Sequence, residues 1–162
     1  MNAIIRNIFV AATLITITGS AFSQEAKWLT NYAQAVEQAK AQNKPILLDF
    51  SGSDWCGGCI AMKKEVLDTP AFQKYARQSL ILMEVDFPQI KPQAEEIKAQ
   101  NLKLQERYGI DGLPSFVLVD KDGKVLGIQE GYLDGGPEAL IAKLNSFFKP
   151  ASNATSKTDL KQ

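Results

Sequence analysis

Apolar residues fall along this chain in two alternating periods. Ile46-Leu47-Leu48-Asp49-Phe50 is a short, nearly unbroken apolar run, which predicts a strand covered on both faces in a partly parallel sheet. Leu80 to Asp86 predicts a second such strand. Between and around them the spacing is helical. Tyr32, Ala35, Val36 and Ala39 follow Trp28-Leu29-Thr30-Asn31, with Thr30 or Asn31 as the N-cap and Lys44-Pro45 as the stop. A helix beginning at Cys56 would turn Cys59, Met62 and Val66 inward and Lys63 and Lys64 outward, and Pro70 suits the first position of a further helix. From about Pro92 to Tyr108 the pattern is polar, with Ile97, Leu102 and Leu104 interspersed, which predicts a long exposed helix closed by Gly109.

The second half changes period. Residues 114–119 and 124–128 flank Lys121-Asp122-Gly123, whose Asp-Gly pair signals a hairpin. Asp134-Gly135-Gly136-Pro137 opens a last helix with Leu140, Ile141, Leu144, Phe147 and Phe148 on one stripe, stopped by Pro150. Strands alternating with helices, then a hairpin and a helix, predict an α/β layer architecture with a mixed sheet between helices.

The ends read differently. Residues 1–23 carry Arg6, the apolar run Ile8 to Ile17, and small residues at Ala21 and Ser23, the pattern of a cleavable signal peptide, so the mature chain is expected to start at Gln24. The run is short for a membrane span, and the alternative is an uncleaved anchor. One domain is expected over 24–149. A tail over 150–162, with Leu160 as its one large apolar residue, is expected to be disordered. Eighteen basic and eighteen acidic residues balance to no net charge, which excludes a phosphate backbone or an anionic surface as an obvious partner.

Chemistry concentrates in one stretch, SGSDWCGGCI, residues 51–60. It holds the two cysteines of a chain that has no histidine. Three readings compete. As a structural staple, so short a loop would contribute only about 2 kcal/mol, against about 4.7 for a hundred-residue loop. As a metal site, two thiolates fall short of the four ligands of structural zinc, although copper(I) accepts two. As a redox pair, the spacing has a geometric reason. A sulfur at a helix N-terminus lies among unpaired N–H groups, which favour the thiolate, and the second sulfur follows one turn later on the same side.

Three motifs in order, the strand ending in Leu48-Asp49-Phe50, then Trp55-Cys56-Gly57-Gly58-Cys59, then Tyr108-Gly109-Ile110-Asp111-Gly112-Leu113-Pro114-Ser115-Phe116, resemble the thioredoxin superfamily. Exported bacterial thioredoxin-like proteins with the longer Ser-Gly-Ser-Asp-Trp-Cys approach look most similar, over roughly 28–148. The resemblance implies a thioredoxin fold, with an extended helix between the second βα unit and the proline strand. It implies Cys56 as the nucleophile, Cys59 as the resolving thiol, and Trp55 as a shield of the site. It implies Pro114 as a cis-proline facing the disulfide, with Leu113 offering backbone hydrogen bonds to an extended substrate. Asp49 would move the proton of the resolving cysteine, or, alternatively, bond to backbone at the strand end. This chain departs from thioredoxin in having four residues between Phe50 and Trp55, Gly58 between the cysteines, Ile60 after them, and a longer 87–109 segment.

The function so implied is an exported, periplasmic or secreted thiol–disulfide oxidoreductase, expected to reduce protein disulfides through a Cys56/Cys59 cycle, with no cofactor beyond that pair and no metal. A disulfide oxidase or isomerase on the same residues, or a copper(I)- or thiol-binding carrier without turnover, are the alternatives. The expected partners are protein thiols and disulfides and a membrane electron-donor protein, with no nucleic acid and the protein itself monomeric.

Overall fold

The computed structural model describes residues 25–148. The signal segment over 1–23 and the tail over 150–162, with the stop at Pro150, lie outside the described residues. Five strands form one sheet: β1 (Trp28–Leu29), β2 (Ile46–Ser51), β3 (Ile81–Asp86), β4 (Ser115–Val119) and β5 (Val125–Glu130). Their order is β1-β3-β2-β4-β5. β1, β3 and β2 run parallel, whereas β4 is antiparallel to β2 and β5 antiparallel to β4. The mixed sheet expected from the sequence is therefore present.

The helices are α1 (Tyr32–Gln42), α2 (Gly57–Met62), α3 (Pro70–Ser79), α4 (Glu95–Tyr108) and α5 (Gly136–Phe147), and α2 runs on as a π-helical turn over Lys63–Leu67. Alternation along β2 divides the core. Ile46, Leu48 and Phe50 face Ala35 and Ala39 of α1 and Leu104 and Tyr108 of α4. Leu47 faces Met62 and Val66, Phe72 of α3, and Leu140 and Leu144 of α5. All six residues of β2 are buried, which is why its apolar run is continuous.

Local chemistry sets the boundaries. The Asn31 side chain accepts the Gln34 N–H and starts α1. Thr69 does the same for α3 through the Phe72 N–H, with Pro70 at the first turn. Gly109, at φ 64°, ends α4 in the left-handed conformation. At the hairpin the Asp120 carboxylate accepts the N–H groups of Asp122 and Lys124.

Three expectations are corrected. Trp28-Leu29 does not lead straight into α1 but adds a two-residue edge strand to β3. α4 begins at Glu95 rather than near Pro92, because the Ala94 carbonyl takes the first helical bonds while Gln93 reaches back to the Asp86 carbonyl. Cys56 caps α2 and is not its first helical residue.

β5 carries Gly127 directly beneath α5. A β-carbon there would come within 2.2 Å of the Phe147 ring. Gly127→Ala is expected to lower stability by about 1–3 kcal/mol, the usual range for overpacking, as read from the urea midpoint. An unchanged midpoint would mean that Phe147 does not pack as described.

Candidate active site

The site is built around the loop that joins β2 to α2. Cys56 has extended backbone, at φ −82° and ψ 104°, and its Sγ accepts the Cys59 N–H at 3.2 Å. The sulfur thus takes the place that a serine or aspartate oxygen holds in other helix caps, beside the positive end of α2. Cys59 sits one turn on, and the two are joined by a disulfide with Cα atoms 5.3 Å apart. Their environments differ. Cys56 retains 9% exposure, whereas Cys59 retains 3% and its Sγ receives the Gly52 N–H at 3.5 Å. An incoming sulfur meets Cys56 first.

The Leu113–Pro114 peptide is cis. It lies against the segment between the cysteines: a β-carbon on Gly58 would be 3.4 Å from Pro114 Cδ. The Pro114 carbonyl accepts the Gly131 N–H, while among the described residues the Leu113 backbone bonds to no other backbone group.

Trp55 is 45% exposed and flanks Cys56. Its indole N–H donates to the Phe87 carbonyl at 2.7 Å, and the ring covers Gly52, where a β-carbon would come within 2.6 Å of Cε2. Only glycine leaves room for the indole there.

Asp49 lies on β2, two positions from Leu47, and so on the face that α2 covers. The extra residue between Phe50 and Trp55 is taken up in the turn after Ser51 and leaves Asp49 on that face. Its carboxyl is pushed up to about 8, chiefly by burial and also by Glu84 on the paired strand and Asp86, with Lys63 opposing. The polar bonds of this region go to Asp86 and Asp54 rather than to Asp49: Ser53 donates its N–H and hydroxyl to Asp86, and Asp54 takes backbone N–H groups from 89–91. Sequence reasoning missed both of these carboxylates. Their partners lie more than thirty residues away in the chain, and the one local signal is the polar run Ser51-Gly52-Ser53-Asp54 itself.

Known proteins resemble this chain in sequence and in fold. The thioredoxin-like domain model matches residues 32–148. The chain is 40% identical over 119 residues to a Chlamydia pneumoniae protein named disulfide bond reductase DsbH, spanning 74% of this chain and 71% of that one. It is 36% identical over 100 residues to thioredoxin-related protein DsbJ of the same organism, covering 62% of this chain but only 29% of DsbJ. Among solved structures, a DsbH oxidoreductase superposes with a TM-score of 0.73 at 36% identity, covering 85% of this chain and 94% of the other. A thioredoxin from Thermus thermophilus shares the fold at a TM-score of 0.58 and 21% identity, over 76% and 87% of the two chains. With the paired cysteines at a helix start, the cis-proline against them, and these likenesses, the chain belongs to the thioredoxin-like family and is a thiol–disulfide oxidoreductase of the thioredoxin superfamily.

Proposed function

We propose that this protein is exported and works as a reductant of protein disulfides. The observation that carries the direction is how little stabilises a thiolate at Cys56: one backbone N–H at 3.2 Å at the start of α2, and no histidine in the chain. Strong oxidants of this kind depend on a heavily stabilised reduced form, which such surroundings do not supply. The name disulfide bond reductase, borne by the 40% identical relative, supports the same direction. Export rests on the leader-like residues 1–23.

The Cys56 thiolate attacks one sulfur of the substrate disulfide, forms a mixed disulfide, and releases the other substrate sulfur, which takes up a proton. Cys59 then loses its proton and attacks Cys56 Sγ, so the second substrate sulfur leaves with the bond electrons and is protonated in turn. Two thiols of the protein are oxidised and one substrate disulfide is reduced. Asp49 is the proton acceptor for Cys59. With its carboxyl at about 8, roughly one in ten is ionised at pH 7, enough to take a proton and basic enough to hold it. Pro114 and Leu113 present the substrate chain, and Trp55 keeps water from the exchanging sulfurs. Because export places the protein where thiols are oxidised, another protein, a membrane electron donor, must return it to the dithiol form. The reaction needs no cofactor beyond the cysteine pair.

Cys59→Ser stops the cycle at the mixed disulfide. The reduced variant is expected to trap substrate proteins covalently, released by dithiothreitol, and the wild type to reduce insulin disulfides. Tight stoichiometric copper(I) binding without insulin reduction would contradict the enzyme reading.

Asp49 makes a second expectation. In the unfolded chain its carboxyl ionises near 3.8, and in the fold near 8. Between those values the native state holds a proton that the unfolded state has released, so stability falls as pH rises through the window. Each pH unit across it corresponds to about 1.4 kcal/mol. Asp49→Asn should therefore unfold like the wild type near pH 4 and be more stable by several kcal/mol near pH 8.5, while resolving mixed disulfides at least about tenfold more slowly. Parallel unfolding profiles across this range would show that Asp49 is not buried as described.

A further inference from the structure

Asp54, next to Trp55 in the turn before Cys56, spends its carboxylate on a distant stretch of chain. It accepts the backbone N–H groups of Gln89, Ile90 and Lys91 at 3.0, 2.9 and 2.8 Å. Those N–H groups hold the carboxyl below its usual range. Next to it, Ser53 donates its N–H and hydroxyl to Asp86 at 2.8 and 2.6 Å, and the Trp55 indole donates to Phe87. Three consecutive residues of the active-site turn are thus tied to the end of β3 and to the segment that follows it.

The segment is otherwise held at its two ends, where the Phe87 N–H donates to the Ser51 carbonyl and the Gln93 amide to the Asp86 carbonyl. Pro88 and Pro92 have no N–H to donate, and residues 87–94 belong to no helix or strand. Ile90 is 80% exposed at its tip. Between the segment and α4 lies an open cleft of about 520 Å³, whose apolar walls are Trp55, Phe87, Pro88, Pro92 and Leu102. Trp55 is shared: it lines the cleft and is bonded in sequence to Cys56, so the cleft continues the surface on which disulfide exchange takes place.

We propose that Asp54 is a positioning residue for polypeptide substrates: by clamping 89–91 it holds the wall of the Trp55 cleft in place, and the cleft takes an apolar side chain from the substrate chain flanking the disulfide. The inference rests on the reading of Cys56/Cys59 as a reductant of protein disulfides. Asp54 does not touch the exchanging sulfurs. A small disulfide carries no flanking chain and gains nothing from the cleft, whereas a polypeptide gains an apolar anchor beside the strand-like pairing at Leu113.

The test compares kcat/KM for insulin, with dithiothreitol as the terminal reductant, against the rate of the reduced protein with 5,5′-dithiobis(2-nitrobenzoate). The folded fraction of each variant is fixed beforehand by circular dichroism, because the thiols of an unfolded chain also reduce the small disulfide. Asp54→Ala is expected to lower the ratio of the two about tenfold, chiefly through the insulin KM. Asp54→Asn, which keeps one oxygen for the N–H groups, should recover part of the loss and covers the case in which the alanine variant does not fold. Trp55 emission should shift as the indole loses the Phe87 carbonyl. A ratio that stays constant, whether both rates fall together or neither moves, overturns the inference and leaves the reductant reading intact. A wild type that reduces the small disulfide but not insulin overturns both.

Discussion

The Cys56 sulfur accepts the Cys59 N–H at 3.2 Å, and this capping bond decides where α2 starts. The placement of the other reactive groups follows from that. With Cys56 as the cap, Cys59 falls one turn inside, buried against the Gly52 N–H, and Gly58 falls over Pro114. Shifting the helix start by one residue would turn Cys59 by about 100° and break each of these relations. The same bond limits the chemistry. One N–H at the start of α2 favours a thiolate, but less than a cationic neighbour or a longer run of donors would.

Around that fixed point the sheet supplies two different environments. β2 delivers Asp49 to the face under α2, where burial and the carboxylates of Glu84 and Asp86 outweigh the attraction of Lys63. β4 delivers the cis-proline from the antiparallel side. In the proposed reaction the buried acid serves as a place for a proton and the unpaired Leu113 backbone as a place for a chain. The turn before Cys56 is held by Asp86 and the 89–91 amides, which bond the approach to Cys56 to the wall of the neighbouring cleft.

Much of the fold was legible because it is written in local periods. The apolar run of β2, the Asp-Gly hairpin, the α5 stripe as far as Phe147 and Gly109 at the end of α4 each follow from neighbours within a few residues, whereas Phe148, expected on that stripe, lies past the helix and is exposed. The cysteine spacing was legible for the same reason, whereas the Leu113-Pro114 pair was read from the resemblance to the thioredoxin superfamily. What escaped depends on partners far along the chain. Trp28-Leu29 is too short to show alternation and is a strand only because Leu82 and Met83 lie beside it. The π-helical turn after Met62 leaves Val66 facing inward as the simple helix would, so the pattern could not reveal it. The clamp at Asp54 joins positions more than thirty residues apart, and an aspartate in a polar turn looks like any solvated charge until the amides of 89–91 are seen around it.

The central claim is that this pair is poised to give electrons rather than take them. Its most direct test is the reduction potential of Cys56/Cys59, measured by equilibrating the protein lacking residues 1–23 with glutathione or dithiothreitol buffers. The weak stabilisation at Cys56 predicts a value near the roughly −270 mV of thioredoxin; a value near about −120 mV, that of a strong oxidant, would contradict the account.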